Sequence, residues 1–131
     1  MTEHRNAERV RYALESLIEG NIEPMNCLWT DDVIFYVPGN HPFSGVYRGK
    51  EQVFGFFGRV AEETAGTFRD VIHDVLANDV HTASILQIMG ERHGKRLDQQ
   101  AVIVQTLNAE GKATELRLFM SDEHASNEFW A

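Results

Sequence analysis

Asp122 closes the run Lys112–Asp122, in which Thr114, Leu116, Leu118, Met120 and Asp122 occupy alternate positions. Alternate side chains of a strand share a face, and the consecutive apolar members mark this face as the inward one. A carboxyl carried by such a face into apolar surroundings has its pKa raised by desolvation. That brings it towards the range in which a general acid or base works near neutral pH. The same residue stands at a strand end, just before Glu123-His124-Ala125-Ser126, where it can instead cap a terminal segment. Both readings stand on the sequence. His73 is the second candidate for proton transfer. It alternates with Val71 and Val75, so it is either a pocket base or a hydrogen-bonded wall residue. His41 sits with Pro42 and Phe43 in a loop read as exposed, and loops at a pocket mouth commonly touch ligand.

Other chemistries find less support. No His-x-x-x-His, His-x-His or Cys-x-x-Cys spacing occurs, so no metal is expected. Gly55 and Gly58 lie inside a helical pattern without the Lys and Ser of a phosphate loop. They are expected to permit close helix-to-sheet packing, and no cofactor is expected. Cys27 stands alone, which precludes an internal disulfide and suits a reducing cytoplasm. It is expected to be a small core residue.

Positioning any of these groups requires a fold, and the composition bounds it. A length of 131 residues fits a single domain, 1–131, and 43% hydrophobic residues with 8 Phe suffice for a core and a cavity. A formal net charge of −8 repels phosphates, so nucleic acid and anionic membrane surfaces are not expected partners. No apolar run approaches the roughly 18 residues of a membrane span.

Periodicity places the elements. Ala7, Val10, Leu14, Leu17 and Ile18 form one helical stripe over 5–19, stopped at Gly20-Asn21. A short helix with Pro24 in its first turn follows and ends at Thr30-Asp31-Asp32. Val33–Val37 is apolar on both faces, hence a buried strand, and Pro38-Gly39 ends it. Residues 40–49 read as loop. A third helix from Lys50 carries Val53, Phe56, Phe57 and Val60 on one face. Four strands, Thr67–Ala77, Val80–Arg92, Lys95–Leu107 and Lys112–Asp122, are separated by hairpin signals. The order is that of an α+β domain with an antiparallel meander.

This order, together with Trp29-Thr-Asp-Asp-Val, Val37-Pro38-Gly39, Ser44-Gly45-Val46-Tyr47-Arg48-Gly49 before a Phe-rich helix, and Met120-Ser121-Asp122 with Glu128-Phe129-Trp130, resembles SnoaL-like proteins. These belong to the nuclear-transport-factor-like superfamily, which includes ketosteroid isomerases, polyketide cyclases and non-catalytic binding domains. The resemblance implies a cone-shaped cystatin-like fold, with three N-terminal helices packed on a strongly curved antiparallel sheet and a pocket between them. It also implies a small hydrophobic ligand and a homodimer through the outer sheet face. The positions matching the two isomerase carboxylates hold Val37 and Ile103, so steroid isomerisation by that mechanism is not expected. SnoaL-like cyclases are thought to use an aspartate on the last strand, and Asp122 is similar in placement. By the same comparison Gln99, Ala101, Ile103 and Gln105 face inward, so Gln99 is a candidate amide donor to a ligand carbonyl. Trp29, Phe35, Val37, Phe56, Phe57, Leu86, Ile103, Leu118 and Met120, with His41, make up the expected apolar wall. The reading that results is a cofactor-independent acid–base enzyme or a binding module that performs no reaction.

Overall fold

A computed structural model of the chain describes residues 3–131. Helix α1 (Arg5–Ile18) buries Ala7, Val10 and Leu14 of the stripe read from spacing, together with Ala13, while Leu17 is half-buried and Ile18, at the helix end, is exposed. The His4 ring caps its first turn by accepting from the Asn6 amide at 3.1 Å. Helix α2 (Glu23–Leu28) leads directly into β1 (Trp29–Val37). Thr30-Asp31-Asp32 therefore begins a strand rather than ending a helix. Its acids point to water while Trp29, Val33, Phe35 and Val37 are buried. The loop expected over 40–49 contains β2 (Gly45–Arg48), which pairs antiparallel with β1. Helix α3 (Gly49–Glu63) presses Val53, Phe56 and Val60 inward. Strands β3 (Arg69–Ala77), β4 (His81–Arg92), β5 (Lys95–Leu107) and β6 (Ala113–Met120) follow, and α4 (Glu123–Trp130) ends the chain.

The strands form one curved, open, six-stranded sheet in the order β2-β1-β6-β5-β4-β3. The meander β3–β6 is antiparallel throughout. Against expectation the sheet is mixed, because β1 lies parallel to β6. Two helices, not three, precede the first strand; α3 follows β2, and α4 is an addition at the C-terminal end. Alternation is strict on β4, where Thr82, Ser84, Leu86 and Ile88 are buried, and on β5, where Leu97, Gln99, Ala101, Gln105 and Leu107 are. That face meets the helices.

Two local readings are corrected. Cys27 is exposed, because the inward side of the short α2 is occupied by Met25 and Leu28. Gly55 and Gly58 are exposed, and a Cβ at either would meet nothing within 4 Å, so they bring no backbones together.

Candidate functional site

Between the helix-bearing face of the sheet, α3 and α4 lies a cavity of about 80 Å³. That is well above the roughly 10–15 Å³ one water needs. Its sheet wall is Phe35 from β1, Leu86 and Ile88 from β4, Ile103 from β5, and Leu118 and Met120 from β6. Strand register explains the grouping. Leu86 faces Ala101, and Ala101 faces Met120; Ile103 faces Leu118. These rows lie side by side on the inward face. The opposite wall is Phe56, Phe57 and Val60 of α3. Phe35 and Phe56 meet edge to face at 5.4 Å and 83°, and Phe56 and Phe57 at 5.5 Å, the geometry that aromatic quadrupoles favour.

Trp130 of α4 closes the remaining side. It packs on Phe43 at 5.0 Å, Phe129 at 4.7 Å and Phe68 at 6.5 Å. Phe43, read as exposed, is buried by this contact. Both ends of α4 are held from the sheet. At its start the Gln99 carbonyl oxygen accepts from the Asp122 amide at 2.8 Å, while the Gln99 amide donates to the Asp122 carbonyl at 3.1 Å and to Ser126 Oγ at 3.0 Å. At its end Arg92 donates to the carbonyls of Phe129 and Ala131, at 3.1 and 3.0 Å, and Lys95 to that of Glu128 at 2.8 Å. Cations thus meet the helix carbonyls that have no partner within the helix.

Polar groups in the lining are few. Asp70 of β3 is its one carboxylate, and His41 and Ser126 are the other polar side chains in the lining. Asp70 stands directly across from Ile88. Burial pushes its pKa up from 3.8 to about 6, since a carboxylate here exchanges water for hydrocarbon. His41 shifts down, burial outweighing the nearby Glu123, so its ring is neutral at pH 7. Its Nδ1 accepts from the Phe43 amide at 3.1 Å, which assigns the ring proton to Nε2 as a free donor. Ser126 Oγ already accepts from Gln99, so its own proton can be given elsewhere. Gly39, at φ +109°, lets the loop fold against this group: a Cβ there would sit 2.7 Å from Asn127 Oδ1 and 3.0 Å from the His41 ring. Asn127 in turn accepts from the Asn40 amide at 2.7 Å, tying loop to helix. One general base and two neutral donors facing hydrocarbon can move a proton at carbon or oxygen while stabilising a developing oxyanion.

Asp122 and His73, the acid–base candidates of the sequence, lie outside the cavity. Asp122 is exposed at the N-cap of α4, its carboxylate accepting from the Ala125 amide at 3.0 Å. The strand ends at Met120, so alternation no longer governs the residue two positions on. Asp122→Ala is expected to cost about 0.5–2 kcal/mol, the usual loss of a cap, and Asp122→Asn only a few tenths. Urea unfolding of the two variants reads the difference. Equal losses from both would show that capping is not its role. His73 is exposed because β3 carries a register shift between Ile72 and Asp74. The extra residue of such a bulge inverts the phase: Asp70 and Ile72 face in before it, Val75 and Ala77 after it. Extending the alternation of Val75 back through His73 and Val71 therefore selects the outer face. The missed signal is local: Phe68, Asp70 and Ile72 alternate on one face. Ser126 and Trp130 carry no such signal, since only α4 brings them over the sheet.

Among the other expected lining residues, Phe35, His41, Phe56, Phe57, Leu86, Ile103, Leu118 and Met120 border the cavity. Three do not. Trp29 is buried behind the wall, tilted against Phe54 at 4.7 Å and stacked on Phe57 at 6.3 Å. Val37 is in the core. Gln99 is turned to α4. Among the described residues no three His, Cys, Asp or Glu side chains converge as metal ligands, and no helix is long and apolar enough to cross a membrane.

Comparison with known proteins agrees with this geometry. An uncharacterized protein of Mycobacterium tuberculosis is 33% identical over 132 residues, all of each chain. Among solved structures, Bal32a from a soil-derived mobile gene cassette is 33% identical over 96% of each chain, with a TM-score of 0.90. A Xanthomonas campestris protein with a cystatin-like fold is 29% identical, covers 98% of this chain and 99% of its own, and has a TM-score of 0.84. A Jannaschia sp. CCS1 protein assigned as a SnoaL-like polyketide cyclase shares the fold at 15% identity, with a TM-score of 0.73 and 100% and 98% of the two chains covered. The SnoaL-like domain model matches residues 10–116, and with that match and the cone of helices closed over a curved sheet, the chain belongs to the SnoaL-like family.

Proposed function

We infer that the chain is a cofactor-independent acid–base enzyme of the cytoplasm. It holds a small apolar metabolite bearing a ring or a carbonyl, and Asp70 moves a proton on it. Cyclisation, isomerisation and hydration all need such a step. The observation that supports this most directly is one unpaired carboxyl, with a pKa of about 6, in a lining otherwise almost entirely hydrocarbon. A buried acid of that kind is costly to keep, and such groups concentrate at sites of chemistry. His41 and Ser126 supply hydrogen bonds to the ligand oxygen.

The test is deuterium incorporation at the α-carbon of a panel of small cyclic ketones in D2O, followed by NMR. Wild type is expected to catalyse exchange on at least one member that it binds, and Asp70→Asn to slow that exchange by about 10²–10⁴-fold, the usual contribution of a positioned base. Binding without exchange, equal in both proteins, favours the second reading: a non-catalytic module for a hydrophobic ligand. What supports that reading is the hydrocarbon at Val37 and Ile103, where the isomerase carboxylates would fall. Either reading includes a homodimer through the outer sheet face, where Val71, Leu76 and Phe119 stand exposed. A monomeric mass by sedimentation at high micromolar concentration would exclude it.

A further inference from the structure

Gln99 is buried, and both polar atoms of its side chain are spent at the start of α4. The oxygen and nitrogen of an amide are alike in shape, but here the backbone tells them apart. The Asp122 amide can only donate, so the atom 2.8 Å from it is Gln99 Oε1. The Asp122 carbonyl can only accept, so the atom 3.1 Å from it is Nε2. Nε2 is also the atom 3.0 Å from Ser126 Oγ, so that oxygen accepts. A serine within a helix can give its own proton to the carbonyl four residues back. For Ser126 that carbonyl is Asp122, whose oxygen already receives the Ser126 amide at 3.2 Å and the Gln99 amide at 3.1 Å. A carbonyl oxygen has two lone pairs, and both are taken. Among the described residues no other group accepts the Ser126 proton. Ser126 is 2% exposed and lines the cavity. A buried donor without an acceptor costs its desolvation, and the cavity is where an acceptor can stand.

We propose that Gln99 is a positioning residue: it fixes Ser126 as a hydrogen-bond donor to the cavity, and the group that Ser126 receives is the carbonyl oxygen of a ketone or aldehyde. Gln99 does not border the cavity, so it acts on the ligand through Ser126. The amide stands between two groups that would otherwise satisfy each other, the Ser126 hydroxyl and the Asp122 carbonyl, and donates to both. His41 follows the same logic. Its Nδ1 is spent on the Phe43 amide, and its Nε2 proton remains to be given. Each of these neutral lining groups thus accepts from the protein and keeps its proton for an acceptor. The substrate class narrows accordingly from a ring- or carbonyl-bearing metabolite to a carbonyl compound. This rests on the cavity being a ligand site, but not on Asp70 moving a proton.

The experiment compares cyclopentanone with methylenecyclopentane by NMR titration. The two have nearly the same shape, and only the ketone accepts a hydrogen bond. The quantity read is the affinity for the ketone divided by that for the hydrocarbon. Ser126→Ala is expected to lower this ratio about threefold to tenfold, the usual worth of one neutral hydrogen bond. Gln99→Met is expected to lower it as much, because the Asp122 carbonyl then has a free lone pair onto which Ser126 turns its proton. Gln99→Glu, which keeps the contact with the Asp122 amide, is the second variant. At pH 8 its carboxylate draws the Ser126 proton to itself, with the same fall in the ratio. Gln99→Met/Ser126→Ala should fall no further than either single variant, a lack of additivity that a merely structural Gln99 would not give. A ratio unchanged in Gln99→Met or Gln99→Glu, additive losses in the double variant, or binding of neither probe by wild type overturns the proposal. The Gln99 and Ser126 effects should persist in an Asp70→Asn background, so failure of the catalytic reading alone leaves this result standing.

Discussion

Asp70→Asn is expected to make the protein more stable at pH 8 and to leave its stability unchanged at pH 3.5. The carboxyl has a folded pKa of about 6 against 3.8 when solvated. Below pH 3.8 the group is protonated in both states and contributes nothing. Between the two values the folded state keeps a proton that the unfolded state has released, so stability falls as pH rises. Above about pH 6 the full cost of the buried carboxylate is present. Roughly two pKa units correspond to about 3 kcal/mol. Partial access to water reduces the expected gain of the variant to about 1–3 kcal/mol. Asn has nearly the same shape and no charge, so it removes the cost without leaving a hole. Urea unfolding at a series of pH values should show two curves that coincide in acid and separate through pH 4–6. A variant less stable than wild type at pH 8, or a gap independent of pH, would mean that Asp70 is not held in hydrocarbon. Stability gained together with activity lost is the usual trade at a strained site, and structural acids do not show it.

Trp130→Ala is expected to produce the largest loss of stability, about 3–5 kcal/mol, as for other buried aromatic truncations. Trp130 is 7% exposed and touches the rings of Phe43, Phe129 and Phe68, and few atoms can move to refill its volume. Trp130→Phe should cost about half as much. The truncation should also admit water to the cavity and lower the Asp70 pKa towards its ordinary value. The stabilising effect of Asp70→Asn should therefore shrink in the Trp130→Ala background, a coupling that a double-mutant cycle reads directly. A loss below 1 kcal/mol with no coupling would show that α4 is not the closing wall.

The wall of the site was more legible in the sequence than its chemistry. The family resemblance identified Ile103. Inward alternation on β6 identified Leu118 and Met120, and helical spacing identified Phe56 and Phe57. Both follow from periodic exclusion of water, a local property of the chain. Asp70 has the same alternating signal with Phe68 and Ile72, but a single inserted residue after Ile72 inverts the face of everything beyond it. Bulges arise from how neighbouring strands settle into register, which no one strand encodes. Asp122 illustrates the complementary case: of the two readings the sequence allowed, the catalytic one applied a strand rule two residues past the strand's end, and the capping one is what the structure shows.

From its own residues the sequence determined an α+β chain with an antiparallel meander, an apolar wall and an excess of acids; its resemblance to the family added the curved sheet. Only the tertiary structure decided which acid the cavity encloses, because that depends on the β3 bulge and on α4 crossing from the end of β6 to cover the sheet. Hydrophobic periodicity is written in neighbouring residues. Desolvation of a particular carboxyl is set by distant segments that happen to pack around it.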